Sequence, residues 1–134
     1  MRYLLDVNVL IALGIEYHQF HRRVALWLMR LRRQGDSELA TCSITELGFV
    51  RVLSRVPLYG YQVHHAQMLL ARVKAKSIVR FTFTTDDQDL SSMPKWVNSH
   101  NQLTDGHLMQ LANAHDAVFA SLDKRIPSAF VIPE

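Results

Sequence analysis

Short aliphatic or β-branched runs alternate with longer segments of helical periodicity along this chain, and that alternation restricts the fold more than any other feature. Residues 2–6 ("RYLLD") read as a short buried strand. Asn8 then caps a short helix, "VLIALG", that stops at Gly14. A longer helix is expected from His18 to Gln34, with Phe20, Val24, Trp27, Leu28 and Leu31 in one apolar stripe and Arg22, Arg23, Arg30 and Arg33 on the other side. Leu26 and Met29 miss the stripe and are expected to be exposed to a partner chain. "GDSELATCS" reads as a turn and a strand. "SITELGFVRVLSRV" follows as a helix apolar on nearly all sides, expected to be deeply buried and ended by Pro57 and Gly60. Next come a helix from Gln62 to Lys76 and a strand, "SIVRFTF". Residues 84–101 form a loop-rich excursion. "LTDGHLMQLANAH" is helical despite Gly106, which costs up to ~1 kcal/mol. "AVFASLD" is a strand, and "SAFVIP" is placed as a last one. Strands and helices alternating in this way predict an α/β fold with a mainly parallel sheet and helices on both faces. No domain boundary interrupts residues 1–134.

Composition narrows the class. The chain has 134 residues, 49% of them hydrophobic, enough for one core. No apolar run approaches the roughly 20 residues that cross a bilayer, and "RYLL" is too soon broken by Asp6 to be a secretory signal. The expectation is a soluble, cytoplasmic protein. Cys42 is the single cysteine, which excludes an internal disulfide and reads as a small core residue. The net charge of +3 is compatible with a polyanionic partner.

The acids carry the chemistry. In "LLDVNVLIAL" every residue except Asp6 and Asn8 is aliphatic, and a buried carboxylate needs a partner. Asp6 lies at the carboxyl end of the first strand and Asp123 at that of "AVFASLD", the edge where open parallel sheets bind ligands. Glu46 and Asp105 open helices at the same edge. Glu46 heads a stripe with Phe49, Val50 and Leu53, and Asp105 one with Leu108, Met109 and Ala112. Four carboxylates gathered there repel one another unless their pKa values rise or a cation joins them. Oxygen-only ligands suit Mg²⁺ or Mn²⁺. Each acid also has a local reading: Ser43 and Glu46 form a capping box in "SITE", Thr104 or Asp105 caps its helix, and Asp123 serves the turn in "LDKR". His18 and His21 have a zinc-compatible spacing without a third ligand. No phosphate loop or nucleophile elbow is present.

The pieces "LLDVNVLIAL", "HQFHRRVALWL", "TCSITELGFVRVLS" and "QLTDGHLMQLANAHDAVFASLDKRI" together resemble PIN-domain ribonucleases, in particular the VapC-type toxins of bacterial toxin–antitoxin pairs, over nearly the whole chain. The resemblance implies a three-layer α/β/α sandwich and a Mg²⁺- or Mn²⁺-dependent endoribonuclease. Asp6, Glu46, Asp105 and Asp123 match the family's acids. Asn8, Thr104 and Ser121 match the polar residues that support them. A homodimer, a larger assembly with a cognate antitoxin, and burial of the acidic pocket by the antitoxin tail are implied as well. Gly106 and His107 stand where Ala and an aromatic residue are frequent, and Asp116 where Gly is usual.

The expected chemistry is in-line hydrolysis of an RNA phosphodiester by metal-activated water, with Asp6 and Asp105 as metal ligands and Glu46 and Asp123 completing the site. Arg22, Arg30, Arg51 and Arg55 are candidates for phosphate or antitoxin contacts. Two alternatives stand beside it. "DVNVL" loosely resembles the nucleophile motif of haloacid-dehalogenase-like phosphatases, with Asn8 and Leu10 departing from it. A PIN fold can also act as a non-catalytic protein-binding module, with its acids serving as caps.

Overall fold

The computed structural model describes residues 1–134. Its strands are β1 (Arg2–Leu5), β2 (Glu38–Thr41), β3 (Phe81–Phe83), β4 (Ala117–Ser121) and β5 (Phe130–Val131). Its helices are α1 (Val7–Gly14), α2 (His21–Gln34), α3 (Ser43–Arg55), α4 (Val63–Lys76) and α5 (Leu103–Ala114). All strand pairs are parallel, in the order β3-β2-β1-β4-β5.

The two-residue period of the strands divides the core. Tyr3, Leu5, Leu39 and Ala120 pack with residues of α1, α2, α3 and α4. Leu4, Ala40, Ala117 and Phe119 pack with Leu108, Met109, Leu111 and Ala112 of α5. Both faces of the sheet are therefore covered, as a parallel sheet requires, and the architecture is the expected α/β/α sandwich. Phe49 and Phe119, each fully buried, anchor the two layers; burying one such side chain is worth about 1.5–3 kcal/mol.

Four local expectations are corrected. Asp6, not Asn8, caps α1: its Oδ1 accepts the Val7 N–H at 2.8 Å. Helix α2 begins at His21 rather than His18, because His18 turns back and its Nδ1 accepts the Phe20 N–H at 3.1 Å. Helix α3 is not buried all round. Phe49 and Leu53 face the core, whereas Leu47 is 59% exposed and Arg51 and Arg55 are exposed. Strand β3 is restricted to residues 81–83, where Leu39, Ala40 and Thr41 supply its register; the Ser77 hydroxyl instead folds residues 77–79 into a turn. Asp116, where the resemblance favours Gly, has φ 53°, a left-handed conformation that Asp tolerates better than most residues.

The excursion between β3 and α5 contains two short 3₁₀ turns, Leu90–Ser92 and His100–Gln102. Three side chains fasten it to α5. His107 Nε2 meets Asp86 Oδ2 at 2.6 Å, His115 Nε2 meets Asp87 Oδ1 at 2.9 Å, and the Gln110 amide donates to the Asp89 carbonyl. Val97 sits directly on α5 at Gly106: a Cβ there would overlap Val97 Cγ2 and lie 3.2 Å from Met93 Sδ. No helix is long and apolar enough to cross a membrane.

Candidate active site

The strand order reverses between β1 and β4. Such a switch point opens a crevice beyond the carboxyl ends of the strands, and Asp6 and Ser121 stand on its two sides. The Asp6 N–H continues the ladder to the Ala120 carbonyl at 2.9 Å. Its Oδ2 accepts the Ser121 hydroxyl at 2.7 Å. Asp6 is only 9% exposed. Burial pushes its pKa up, the donors Ser121 and Val7 pull it down, and Asp123 pushes it up again.

Asn8, in the first turn of α1, straddles the same crevice. Its Nδ2 donates to Ser121 Oγ at 3.1 Å, and its Oδ1 accepts the Leu122 N–H at 3.1 Å. Ser121 Oγ also accepts the Asp123 N–H at 3.0 Å. One buried hydroxyl thus ties together Asp6, Asn8 and the start of the "LDKR" turn.

Asp123 Oδ1 accepts the Arg125 N–H at 2.9 Å, and the guanidinium reaches both carboxylate oxygens, at 3.0 and 3.1 Å. The Arg125 bonds hold Asp123 below the usual carboxylate range. The turn reading of Asp123 therefore holds alongside its nearness to the other acids. Asp105, in the first turn of α5, has its pKa pushed up to about 6 by burial first, then by Asp6 and Asp123, with Arg125 opposing. Three aspartates from β1, α5 and the end of β4 share one electrostatic neighbourhood.

Glu46 is held differently. Its Oε2 accepts both the Thr41 hydroxyl at 2.6 Å and Lys74 Nζ at 2.7 Å, while Oε1 receives no protein donor. Glu46 is not among the charges that raise Asp6 or Asp105. The capping-box reading fails here. The cap position of α3 is Cys42, whose N–H goes to Thr45 Oγ1 at 3.0 Å, so Glu46 is free to turn toward Lys74. Thr104 is exposed and bonds to none of the acids, and neither it nor Asp105 caps α5, whose cap position is Gln102.

Arg22 and Arg30 lie exposed on α2, and Arg51 and Arg55 on α3; none pairs with an acid of the site. Arg55 is nine residues beyond Glu46, about 14 Å along the helix. The cations that do meet the acids are Arg125 and Lys74. Arg125 was visible in "LDKR". Lys74 and Thr41 escaped sequence reasoning, because only the packing of α4 on α3 brings Lys74 to Glu46. His21 Nδ1 lies 2.8 Å from the Ala12 carbonyl, so His18 and His21 are both engaged with backbone rather than paired as zinc ligands.

The family model of the PIN domain matches residues 3–129. The chain belongs to the PIN domain family. Among its relatives, Ribonuclease VapC44 of Mycobacterium tuberculosis is 39% identical over 131 residues, spanning 94% of this chain and 89% of its own. Ribonuclease VapC29 of the same organism is 37% identical over 124 residues, spanning 92% and 86%. Ribonuclease VapC39 is 32% identical over 127 residues, spanning 92% and 89%.

This PIN domain offers oxygen ligands to a divalent cation. No three of its His, Cys, Asp and Glu side chains converge tightly enough to enclose an ion by themselves. Mg²⁺ does not need such a cage: it keeps several waters and is bound through one or two carboxylates together with substrate phosphates. Burial first, and then neighbouring aspartates, raise the pKa values of Asp6 and Asp105, a cost that a nearby cation would offset. The donor set of the PIN domain therefore fits the metal.

Proposed function

We propose that this PIN domain is a Mg²⁺- or Mn²⁺-dependent endoribonuclease and the toxin of a toxin–antitoxin pair. The observation that carries the proposal is the nearness of Asp6, Asp105 and Asp123 at the switch point, with Asp105 raised to about 6 by burial and then by its acidic neighbours. The names of the relatives, ribonucleases of the VapC type, agree with it.

In this reading Asp6 and Asp105 hold the ion. When bound, the ion acidifies a water and offsets charge on the phosphodiester. The protein does the rest. Ser121 fixes one oxygen of Asp6 and the Val7 N–H the other, so the carboxylate cannot rotate away. Asn8 locks Ser121 in place. Glu46, pinned through Oε2, offers Oε1 to orient the attacking water. Asp123 is the other candidate for that task. Arg22, Arg30, Arg51 and Arg55 contact RNA phosphates or the antitoxin. The toxin works in the cytoplasm as a homodimer, and its antitoxin covers the acidic crevice, in a larger assembly where the complex requires it.

The phosphatase alternative lacks its second carboxylate. Asn8 fills that position and is committed to Ser121 and Leu122. The decisive experiment compares cleavage of total RNA by the wild type and by Asp6→Asn, with Mg²⁺ or Mn²⁺ and with EDTA. Asn retains the capping role at α1, so the variant stays folded and loses cleavage. Full activity in Asp6→Asn would remove the site assignment. A trapped phosphoenzyme would favour the phosphatase, and a wild type inert on RNA would favour a binding module.

A further inference from the structure

Phe83 is the last residue of the edge strand β3 and is 53% exposed. It belongs to neither core cluster and pairs with no other aromatic ring. Its backbone is in register with Thr41, whose hydroxyl holds Glu46. Two strand spacings, about 10 Å, separate β3 from β1, at whose end Asp6 stands.

Two clefts border Phe83. One, of about 610 Å³, is lined by Ser43, Glu46, Gln67 and Lys74 and otherwise by apolar side chains of α3 and α4, Leu47 and Val63 among them, as well as by Phe83. The other, of about 430 Å³, is lined by Ala71, Lys74, Phe81 and Thr82 together with Phe83. Phe83 and Lys74 are shared by both. An aromatic ring with no aromatic partner thus lines two pockets along β3 and α4, together with the ammonium group that also pairs with Glu46. The first pocket includes Glu46 in its wall.

We propose that Phe83 and Lys74 form a nucleotide subsite for single-stranded RNA, beside the acidic crevice. A base stacks on the Phe83 ring from either cleft, Lys74 attracts the connecting phosphate, and Ser43, Gln67 and Thr82 offer hydrogen-bonding groups to base edges. Single-stranded RNA is recognised in this way, with unstacked bases laid on aromatic side chains beside cationic groups. The proposal rests on the nuclease reading above, and assigns to it the place where RNA next to the cut is held.

The test uses Asp6→Asn chains with Mg²⁺, so that bound RNA survives, and a single-stranded oligonucleotide carrying 2-aminopurine. Binding is expected to change the 2-aminopurine fluorescence. Phe83→Leu is expected to weaken binding about 5- to 100-fold, the range for losing one stacked base, and to abolish the fluorescence change; Phe83→Trp is expected to keep both. In chains with Asp6 intact, Phe83→Leu is expected to raise KM for RNA more than it lowers kcat. Equal RNA affinity and KM in Phe83→Leu and its parent would overturn the subsite and leave the nuclease reading in place. A parent dimer that becomes monomeric in Phe83→Leu with unchanged RNA affinity per chain would also overturn it, because the clefts would then seat a second copy. No cleavage by the wild type and no RNA bound by Asp6→Asn would overturn both readings.

Discussion

Ser121 Oγ donates to Asp6 Oδ2 at 2.7 Å across the gap where the sheet order reverses. The same oxygen accepts from Asn8 and from the Asp123 N–H. Ser121→Ala removes all three contacts from a buried position. It is expected to cost about 1–3 kcal/mol in urea unfolding, as for an unsatisfied buried group. It also removes a donor that lowers the Asp6 pKa, so that pKa moves further up. Mn²⁺ affinity, followed by calorimetry, should fall about 10–100-fold, as when a ligand's hydrogen-bond partner is lost. Unchanged Mn²⁺ affinity would separate Ser121 from the metal.

The aspartate cluster sets a pH dependence of stability. Asp105 titrates near 6 in the folded chain against an ordinary value of 3.8. Between those values the folded state binds the proton that the unfolded state has released, so this group's contribution to stability falls as pH rises through the window and is flat above it. Asp6 is shifted in the same direction. Asp86, Asp87, Asp89 and Asp123 are shifted downward, so their opposing contributions lie below the usual carboxylate range, whereas His18, lowered by burial and by His21, opposes the slope just below 6.5, so the Asp105 part is read as the difference between wild type and Asp105→Asn. Thermal melts in EDTA should therefore show this slope between about 4 and 6, weakened in Asp105→Asn and removed by saturating Mn²⁺. A slope identical in Asp105→Asn and wild type would refute the assignment.

Lys74 is the cation nearest Glu46, and both side chains are partly exposed. Lys74→Met should change stability by less than about 1 kcal/mol. Without the ammonium group, the charge of Glu46 is no longer offset, and Mn²⁺ affinity should rise about three- to tenfold. A fall in affinity would show that Lys74 helps the site rather than competing with it.

Gly106 and Val97 should behave as a pair. Gly106→Ala improves helix propensity by up to about 1 kcal/mol, yet its Cβ overlaps Val97, and overpacking of this kind costs about 1–3 kcal/mol. The single variant should be destabilised, and Gly106→Ala with Val97→Ala should recover much of the loss. Additive effects in the two variants would mean that the contact is slack.

The fold was legible because strand and helix periods alternate cleanly, and the nearness of Asp6, Asp105 and Asp123 was legible because each heads an inward apolar stripe or ends a strand, whereas Glu46 is held apart from them by Thr41 and Lys74. What escaped was whatever depends on contact between distant segments. Lys74 and Glu46 are 28 residues apart and meet only when α4 lies on α3. Asp6 and Asn8 are both good capping residues, and what distinguishes them is contact with the end of β4, where the Ser121 hydroxyl and the Leu122 N–H draw Asn8 across the crevice. Helix α3 looked apolar all round because sequence does not say which of its sides the sheet leaves uncovered. Gly106 read as a weakness in α5 until the excursion supplied the side chain that needs the space.

Strands β3 and β5, at the two margins of the sheet, are three and two residues long. Such short margins give an incoming strand almost no template on which to pair. Copies of this protein that associate are therefore expected to meet through helices and loops rather than by lengthening the sheet.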